Sequence, residues 1–338
     1  MYQLVNADGY KYPGRDTYVL DILPVATGFA TTASDQTLNL FDPLRLSQGP
    51  IKTIRTDHGN LTAAKVYSTG DSVVCTTGEN GTISVWDLRL DPSTARAMQI
   101  GGNLPGLLSL ACSDATNTVA AGTELANHQA SIIIWDLRSP AAPRMQYNEG
   151  HSDDITELAF HPQTPTHLLS GSTDGLLNLT NTLIGDEDDA VQATFNHGSV
   201  HRAGFLGGAT GATEVFAASH DEKFAVYDTA DETPLRGAAT LDLGDVRPLL
   251  GCQYLADVVG KAGGMGAVVG VGAQDQEMFQ LIHLSKGAGG WGLDRDTVVG
   301  LPGAHGSELV RSFCFYDEQQ LVFTAGEDGC VKAWRPGN

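Results

Sequence analysis

A chain of 338 residues with 20 Lys and Arg against 40 Asp and Glu carries a formal charge of −20. Such a surface repels nucleic-acid phosphate and anionic lipid and attracts basic partners, so neither nucleic acid nor membrane is an expected direct partner. The composition, 41% hydrophobic and 18% charged with 40 glycines, is that of a globular chain rich in tight turns.

The N-terminal stretch MYQLVNADGYKYPGRD lacks the cationic and then apolar pattern of a signal peptide. No apolar run approaches the roughly 20 residues that span a bilayer. The nucleus or cytoplasm is therefore the expected location. Within this stretch, YQLVNA (Tyr2–Ala7) reads as a strand, ahead of a first inner strand near Tyr18–Leu23. A plan then recurs: a strand of small residues, a polar turn and an alternating strand. It appears as TTASDQTLNLFD, TTGENGTISVWDLR, VAAGTELANHQASIIIWDLR, SGSTDGLLNLTN, AASHDEKFAVYD, GVGAQDQEMFQL and TAGEDGCVKAW. The turns centre near Asp35, Asn80, Ala126, Asp174, Asp221, Asp275 and Asp328, a spacing of 45–54 residues. Strands this short and this regularly punctuated are not helices. The spacing is that of four-stranded propeller blades with loop insertions. The predicted fold is all-β, a single seven-bladed propeller over residues 1–338 with four antiparallel strands per blade, expected as a monomer. The seventh unit ends at CVKAWRPGN after its third strand. Residues 1–8 are expected to supply the missing outer strand and close the ring, leaving no open sheet edge.

Trp86-Asp87 in SVWDLR, Trp135-Asp136 in IIWDLR and the Gly150-His151 pair give the chain its resemblance to the WD40-repeat family along nearly its whole length. In that family a histidine, a Ser or Thr, the turn aspartate and the Trp hydrogen-bond as a chain within a blade. The resemblance assigns His151, Ser172 and Asp174 to such a network, with Thr180 at the Trp position. The fullest set it suggests is His197, Ser219, Asp221 and Tyr227. The segments HSDDITELAFHPQTPTHLLSGSTDGLLN, SHDEKFAVYD, DVRPLL and GEDGCVKAWRPG also resemble the WD repeat-containing protein 89 group, from the third blade to the seventh.

Signatures of chemistry are sparse. The five cysteines (Cys75, Cys112, Cys252, Cys314, Cys330) form no CxxC pair and no zinc spacing, and read as buried small apolar residues of a reducing compartment. In GKAGGMG, Gly260–Gly266, Lys261 stands at the wrong end for a phosphate loop. No GxSxG elbow or HExxH helix occurs, so no catalytic residue, cofactor or metal is expected. IGDEDDA, Ile184–Ala190, reads as a solvated acidic loop open to a basic partner. Trp291 in GAGGWGLDRD is an interface anchor if exposed, or else packs on its own blade. Aligning the units on ITELAF puts Tyr18, Thr62, Leu108, Thr156, His201, Arg247 and Arg311 at the channel rim, with Asp16, Asp154 and Asp245 two positions earlier. This mixed ring either clasps a peptide or pairs its charges internally. Two functions follow. One is a scaffold or escort for a basic ligand such as a ribosomal protein or histone tail. The other is a ubiquitin-ligase substrate receptor that docks its adaptor through Arg89 and Arg138 of the two WDLR motifs.

Overall fold

The computed structural model describes residues 1–207, 214–230, 239–261 and 266–337. Each repeated unit is a sheet whose strands pair antiparallel in chain order, so seven blades span 19–55, 61–101, 107–147, 155–196, 200–245, 254–302 and 310–336. The inner strands, from Val19–Val25 in blade 1 to Val310–Tyr316 in blade 7, come first in each unit. The loops before them and the turns after the second strands emerge together on one face, here called the rim face.

The second strand of each blade lies between the blades on either side, which explains its small residues. Gly28–Ala33 and Ala267–Ala273 are buried at every position. Gly122 and Gly171 mark where the next blade comes closest. A Cβ there would sit 2.5 Å from Ile155 Cγ2 and 2.6 Å from Val200 Cγ1, so only glycine lets the following inner strand nest. The core is a series of clusters between neighbouring blades. Between blades 2 and 3, Cys75, Ile83 and Val85 meet Leu110, Val119 and Trp135.

The ring closes through Tyr2–Lys11, longer than the expected Tyr2–Ala7. It pairs antiparallel with blade 7 from Leu4 opposite Pro336 to Lys11 opposite Cys330. It also pairs in parallel with Val299 and Gly300 of blade 6, joining the last two blades into one eight-stranded sheet. The contact falls where Val299 and Gly300 lie opposite Leu281 and Gln280, away from the tip of the long outer hairpin formed by Met278–Gly287 and Gly290–Pro302.

Two expectations need correction. The acidic run is not a plain solvated loop: Glu187–Ala190 forms a helical turn capped by the Asp186 side chain. Glu187 is committed, its carboxylate accepting the N–H groups of Asn148 at 2.6 Å and Glu149 at 2.7 Å. Only Asp186, Asp188 and Asp189 remain exposed. Asp245 likewise caps the helical turn Val246–Leu250, so Arg247 lies outside the inner strand of blade 6, Tyr254–Gly260. The GKAGGMG stretch links that strand to the next, with the Lys261 N–H bonded to Gly266 O at 3.0 Å. Residues 262–265 lie outside the described residues.

Candidate binding face and central channel

Two residues into each inner strand the pairing slips by one and leaves a bulged residue. These are Leu20, Thr62, Leu108, Thr156, His201, Ala256 and Arg311 in blades 1 to 7. A bulge re-aims its side chain, and three of these reach the next blade. Thr62 Oγ1 donates to Leu107 O, Thr156 Oγ1 to Val200 O at 2.7 Å and His201 Nε2 to Leu255 O at 3.2 Å. Ser109, one residue past the bulge, does the same for blade 4 through Ile155 O at 2.7 Å. Thr156 and His201 therefore tie blades together and do not stand free for a ligand. Burial, and then the Arg202 charge, lower the His201 pKa and favour a neutral ring. Tyr18 and Arg247 fall outside the ring, because the equivalent positions are Leu20 and Ala256. In blade 6 the helical turn mimics the start of an inner strand.

One residue further along, blades 1, 4, 5 and 6 send charge into the centre. Asp21, Glu157, Arg202 and Asp257, with Lys65 of blade 2, line a cavity of about 530 Å³. Lys65 Nζ lies 3.0 Å from Glu157 Oε1, spanning blade 3 to reach blade 4. Arg202 approaches Glu157 at 3.7 Å and Asp257 at 3.4 Å. Asp21 accepts from Ser312 Oγ at 2.7 Å. Its acidity is weakened by burial above all and then by the nearby Asp257. Glu157 raises the Lys65 pKa. This alternation of sign stitches blades 2, 4, 5 and 6 across the channel.

The histidine networks differ from expectation in membership. His305 Nδ1 meets Asp328 at 2.6 Å and its Nε2 meets Thr324 Oγ1 at 2.8 Å, which also accepts from Trp334 Nε1 at 2.9 Å. With a proton on Nδ1 donated to Asp328 and Nε2 accepting from Thr324, every donor of the set has an acceptor. Blade 2 repeats this with His58 on Thr76 at 2.8 Å, Trp86 on Thr76 at 2.7 Å and Thr82 at 3.1 Å on Nδ1. Neither set was singled out from the sequence. In blade 4, His151 bonds Asp174 at 3.1 Å and Ser170, not Ser172, at 2.8 Å. Ser172 sits two residues on, accepting the Asp174 N–H in the turn. Ser219 plays that same turn role for Asp221. The network position in blade 5 is Ala217, which has no hydroxyl, so His197 goes directly to Tyr227 Oη at 2.9 Å and to Lys223 O at 3.2 Å. Neither Ser219 nor Asp221 is its partner. Blade 1 uses Tyr12 from the closing segment, its hydroxyl 2.7 Å from Thr31 Oγ1.

Burial lowers the pKa of His58 and of His197. The unfolded chain then binds more protons at these sites, so stability present above about pH 6.5 is lost as pH falls below it. Asp174 and Asp328 act lower still. Burial is the largest single influence and disfavours both carboxylates, yet the hydrogen bonds from His151 and His305, together with the N–H groups of Leu176 and Ser152 on Asp174 and of Cys330 on Asp328, outweigh it and hold them below the usual range. The melting temperature is expected to fall between pH 7 and pH 5, with each histidine contributing up to about 1.4 kcal/mol per pH unit. In a His197→Asn variant the slope over that window should shrink; an unchanged slope would assign the loss elsewhere.

The arginines of blades 6 and 7 on the rim face are paired. Arg247 grips Asp245 in a fork, Nε to Oδ1 at 2.9 Å and NH2 to Oδ2 at 2.8 Å, and Arg311 is bonded to Glu327. Asp154 Oδ1 accepts the Leu125 N–H at 2.7 Å, while Asp16 and Tyr18 are exposed. Trp291 is only 8% exposed, packed with Ile282, Leu284 and Val298 of blade 6 and core residues of blade 5. It is a core residue and not an interface anchor. On the opposite face the WDLR arginines repeat the Asp-x-Arg fork, Arg89 on Asp87 at 2.7 Å and Arg138 on Asp136 at 2.6 Å, with side chains 50% and 67% exposed. Lys52 of blade 1 caps the carbonyls of Leu88, Arg89 and Leu90 at 2.8–2.9 Å. Among the described residues, no group of three or more His, Cys, Asp or Glu is placed to hold a metal ion, and no helix is long and apolar enough to cross a membrane.

Seven blades, the histidine networks and a closing N-terminal strand define a seven-bladed β-propeller of the WD40 type. The chain carries WD40 repeats: the family model described as "WD domain, G-beta repeat" matches residues 49–87, 143–181 and 297–335. It is 29% identical over 343 residues to an uncharacterized WD repeat-containing protein of Saccharomyces cerevisiae, covering 98% of this chain and 82% of that one. A WD repeat-containing protein 89 homolog of Dictyostelium discoideum is 23% identical over 217 residues, 64% of this chain and 56% of that one. A ribosome biogenesis protein of Phaeosphaeria nodorum is 25% identical over 217 residues, 61% of this chain and 44% of that one. A chain in the crystal structure of a mitotic checkpoint complex superposes with a TM-score of 0.72 at 14% identity, covering all of this chain and 94% of that one. That likeness is one of fold. WD40-repeat proteins typically act as non-enzymatic scaffolds for protein partners.

Proposed function

We propose that this protein is a non-enzymatic scaffold or escort that holds a basic protein or peptide, of ribosomal-protein or histone character, on its rim face. The carrying observation is a charge imbalance on that face. Asp16, Asp35, Glu79, Glu124, Asp275 and Glu277 are exposed. Several arginines near them are already occupied: Arg96 by Asp57 at 2.7 Å, Arg247 by Asp245 at 2.8 Å and Arg311 by Glu327, while Arg15 and Arg55 are exposed. The surplus negative potential attracts a cationic segment over long range, and the paired arginines at the rim select among such segments. The partial likeness to a ribosome biogenesis protein supports a basic partner and a nuclear or cytoplasmic setting.

The test is capture of core histones and of purified ribosomal proteins by the full chain at about 50 and 500 mM salt. Screening should weaken binding at least tenfold at the higher salt; equal binding at both would overturn the electrostatic account. Arg247→Ala and Arg311→Ala should weaken capture by about tenfold while stability changes by no more than roughly 0.5 kcal/mol. Variants that melt early yet bind normally would limit these arginines to their ion pairs. The second reading, adaptor docking, rests on the matched exposure of Arg89 and Arg138 on consecutive blades. An Arg89→Ala, Arg138→Ala double variant that still co-purifies with the ligase adaptor would remove it.

A further inference from the structure

We propose that Cys75 and Cys112 form an oxidant-sensitive dithiol that closes to a disulfide between blades 2 and 3. Cys75 lies in the second strand of blade 2, opposite Lys65 and Val85, and Cys112 in the inner strand of blade 3, opposite Val119. These two positions meet at several interfaces of the ring. The matching pairs Ala30 with Val66, Ala120 with Phe160, and Leu169 with Phe205 each fall within one inter-blade cluster. Among the described residues, only between blades 2 and 3 are both positions cysteines, with Cys112 packed against the cluster that contains the buried Cys75. The two strands approach within 8 Å, Cα to Cα. Disulfides prefer Cα separations of about 5.5–6 Å, so bridging requires the two strands to sit at or move to that separation at this one contact.

The environment sets the order of events. Cys112 is partly exposed, whereas Cys75 is fully buried. The neighbouring Cys112 thiol first, and then burial, push the Cys75 pKa well up. Hydrogen peroxide therefore oxidises Cys112 first: its thiolate attacks one peroxide oxygen, giving the sulfenic acid and releasing hydroxide, which is protonated to water. The Cys75 sulfur then attacks the Cys112 sulfur, the S–S bond forms as the S–O bond breaks, and the Cys75 proton leaves with the departing hydroxyl as a second water. Two thiols are oxidised by two electrons and one peroxide is reduced to two waters. The elevated Cys75 pKa makes the second step slow at neutral pH and faster in alkali. Cys252 and Cys330, whose thiols burial pushes up to about 11, have no sulfur partner among the described residues and stay as single thiols.

Folded protein is treated with hydrogen peroxide at pH 7 and pH 8.5, then alkylated, digested and read by mass spectrometry. The expected product is a Cys75–Cys112 cross-linked peptide, forming faster at pH 8.5, reversed by dithiothreitol and absent in Cys75→Ser and Cys112→Ser variants. Joining two blades should also raise the melting temperature of oxidised wild type by roughly 2–5 °C. Cys314→Ser should change neither result. Over-oxidation of Cys112 to the sulfinic acid with Cys75 still alkylated, or a cross-link that forms only after denaturation, would overturn the proposal.

Discussion

Glu157→Gln is expected to destabilise the fold more than any other single substitution in the channel. Glu157 is buried and serves two cations from different blades, Lys65 at 3.0 Å and Arg202 at 3.7 Å. Removing one partner of a buried ion pair costs about 3–5 kcal/mol because the other charge is stranded. Here Lys65 and Arg202 keep side-chain exposures of 41% and 33% to the channel, so water recovers part of that loss. About 2 kcal/mol remains, or a melting-temperature drop of roughly 3 °C for a chain of this length. The glutamine amide can still accept a hydrogen bond from Lys65, so the variant isolates charge from contact. A double-mutant cycle with Lys65→Met measures the coupling directly, and the double variant should lose less than the two single losses added. If the losses add, the bridge across blade 3 contributes no more than an exposed pair, and blade order is maintained by apolar packing alone.

What could be read from the sequence, and what could not, divides along locality. Blade count and ring closure were legible because each blade is a local unit with its own turn signal, as in Thr173-Asp174-Gly175, and because strands of small residues recur at a steady spacing. The networks were legible only in part. Ser172 and Ser170 lie on the same strand and the same side of it, and nothing local tells which of them faces the histidine; the register with Asn178 does. A geometric signal went unused: the histidine stands 18 or 19 residues before the network hydroxyl, and the tryptophan 10 after it. Searching with that spacing finds His58, Thr76 and Trp86, and His305, Thr324 and Trp334. The ten-residue step back from Tyr227 also shows why blade 5 fails, since Ala217 occupies the hydroxyl position. The burial of Trp291 and the displacement of Arg247 were not legible at all. The first depends on the face of a neighbouring blade, and the second on a capped helical turn whose DVRPLL sequence alternates like the start of a strand.

Deleting residues 1–8 should produce the largest loss of all, because the ring is held shut by a strand from the far end of the chain. That strand pairs with blade 7 from Leu4 to Lys11 and touches blade 6 at Tyr2 and Gln3. Leu4 is 6% exposed and packs with Phe279, Leu281 and Trp334. Losing one buried leucine, at about 2 kcal/mol, and several ladder hydrogen bonds, at about 1 kcal/mol each, sums to roughly 5 kcal/mol. The damage is also qualitative. The strand Cys330–Pro336 becomes an open edge whose unpaired N–H and C=O groups invite another chain. Tyr12 loses the strand that positions it, and with it the hydroxyl that serves Thr31 and Asn39 in blade 1. The variant should melt at least several degrees early and form oligomers by size-exclusion chromatography. A synthetic peptide of residues 1–11 added in trans should restore both the melting temperature and the monomer peak, which a general loss of solubility would not allow. A truncated chain as stable and monodisperse as the full one would place the closure of the ring in blade packing and not in this strand.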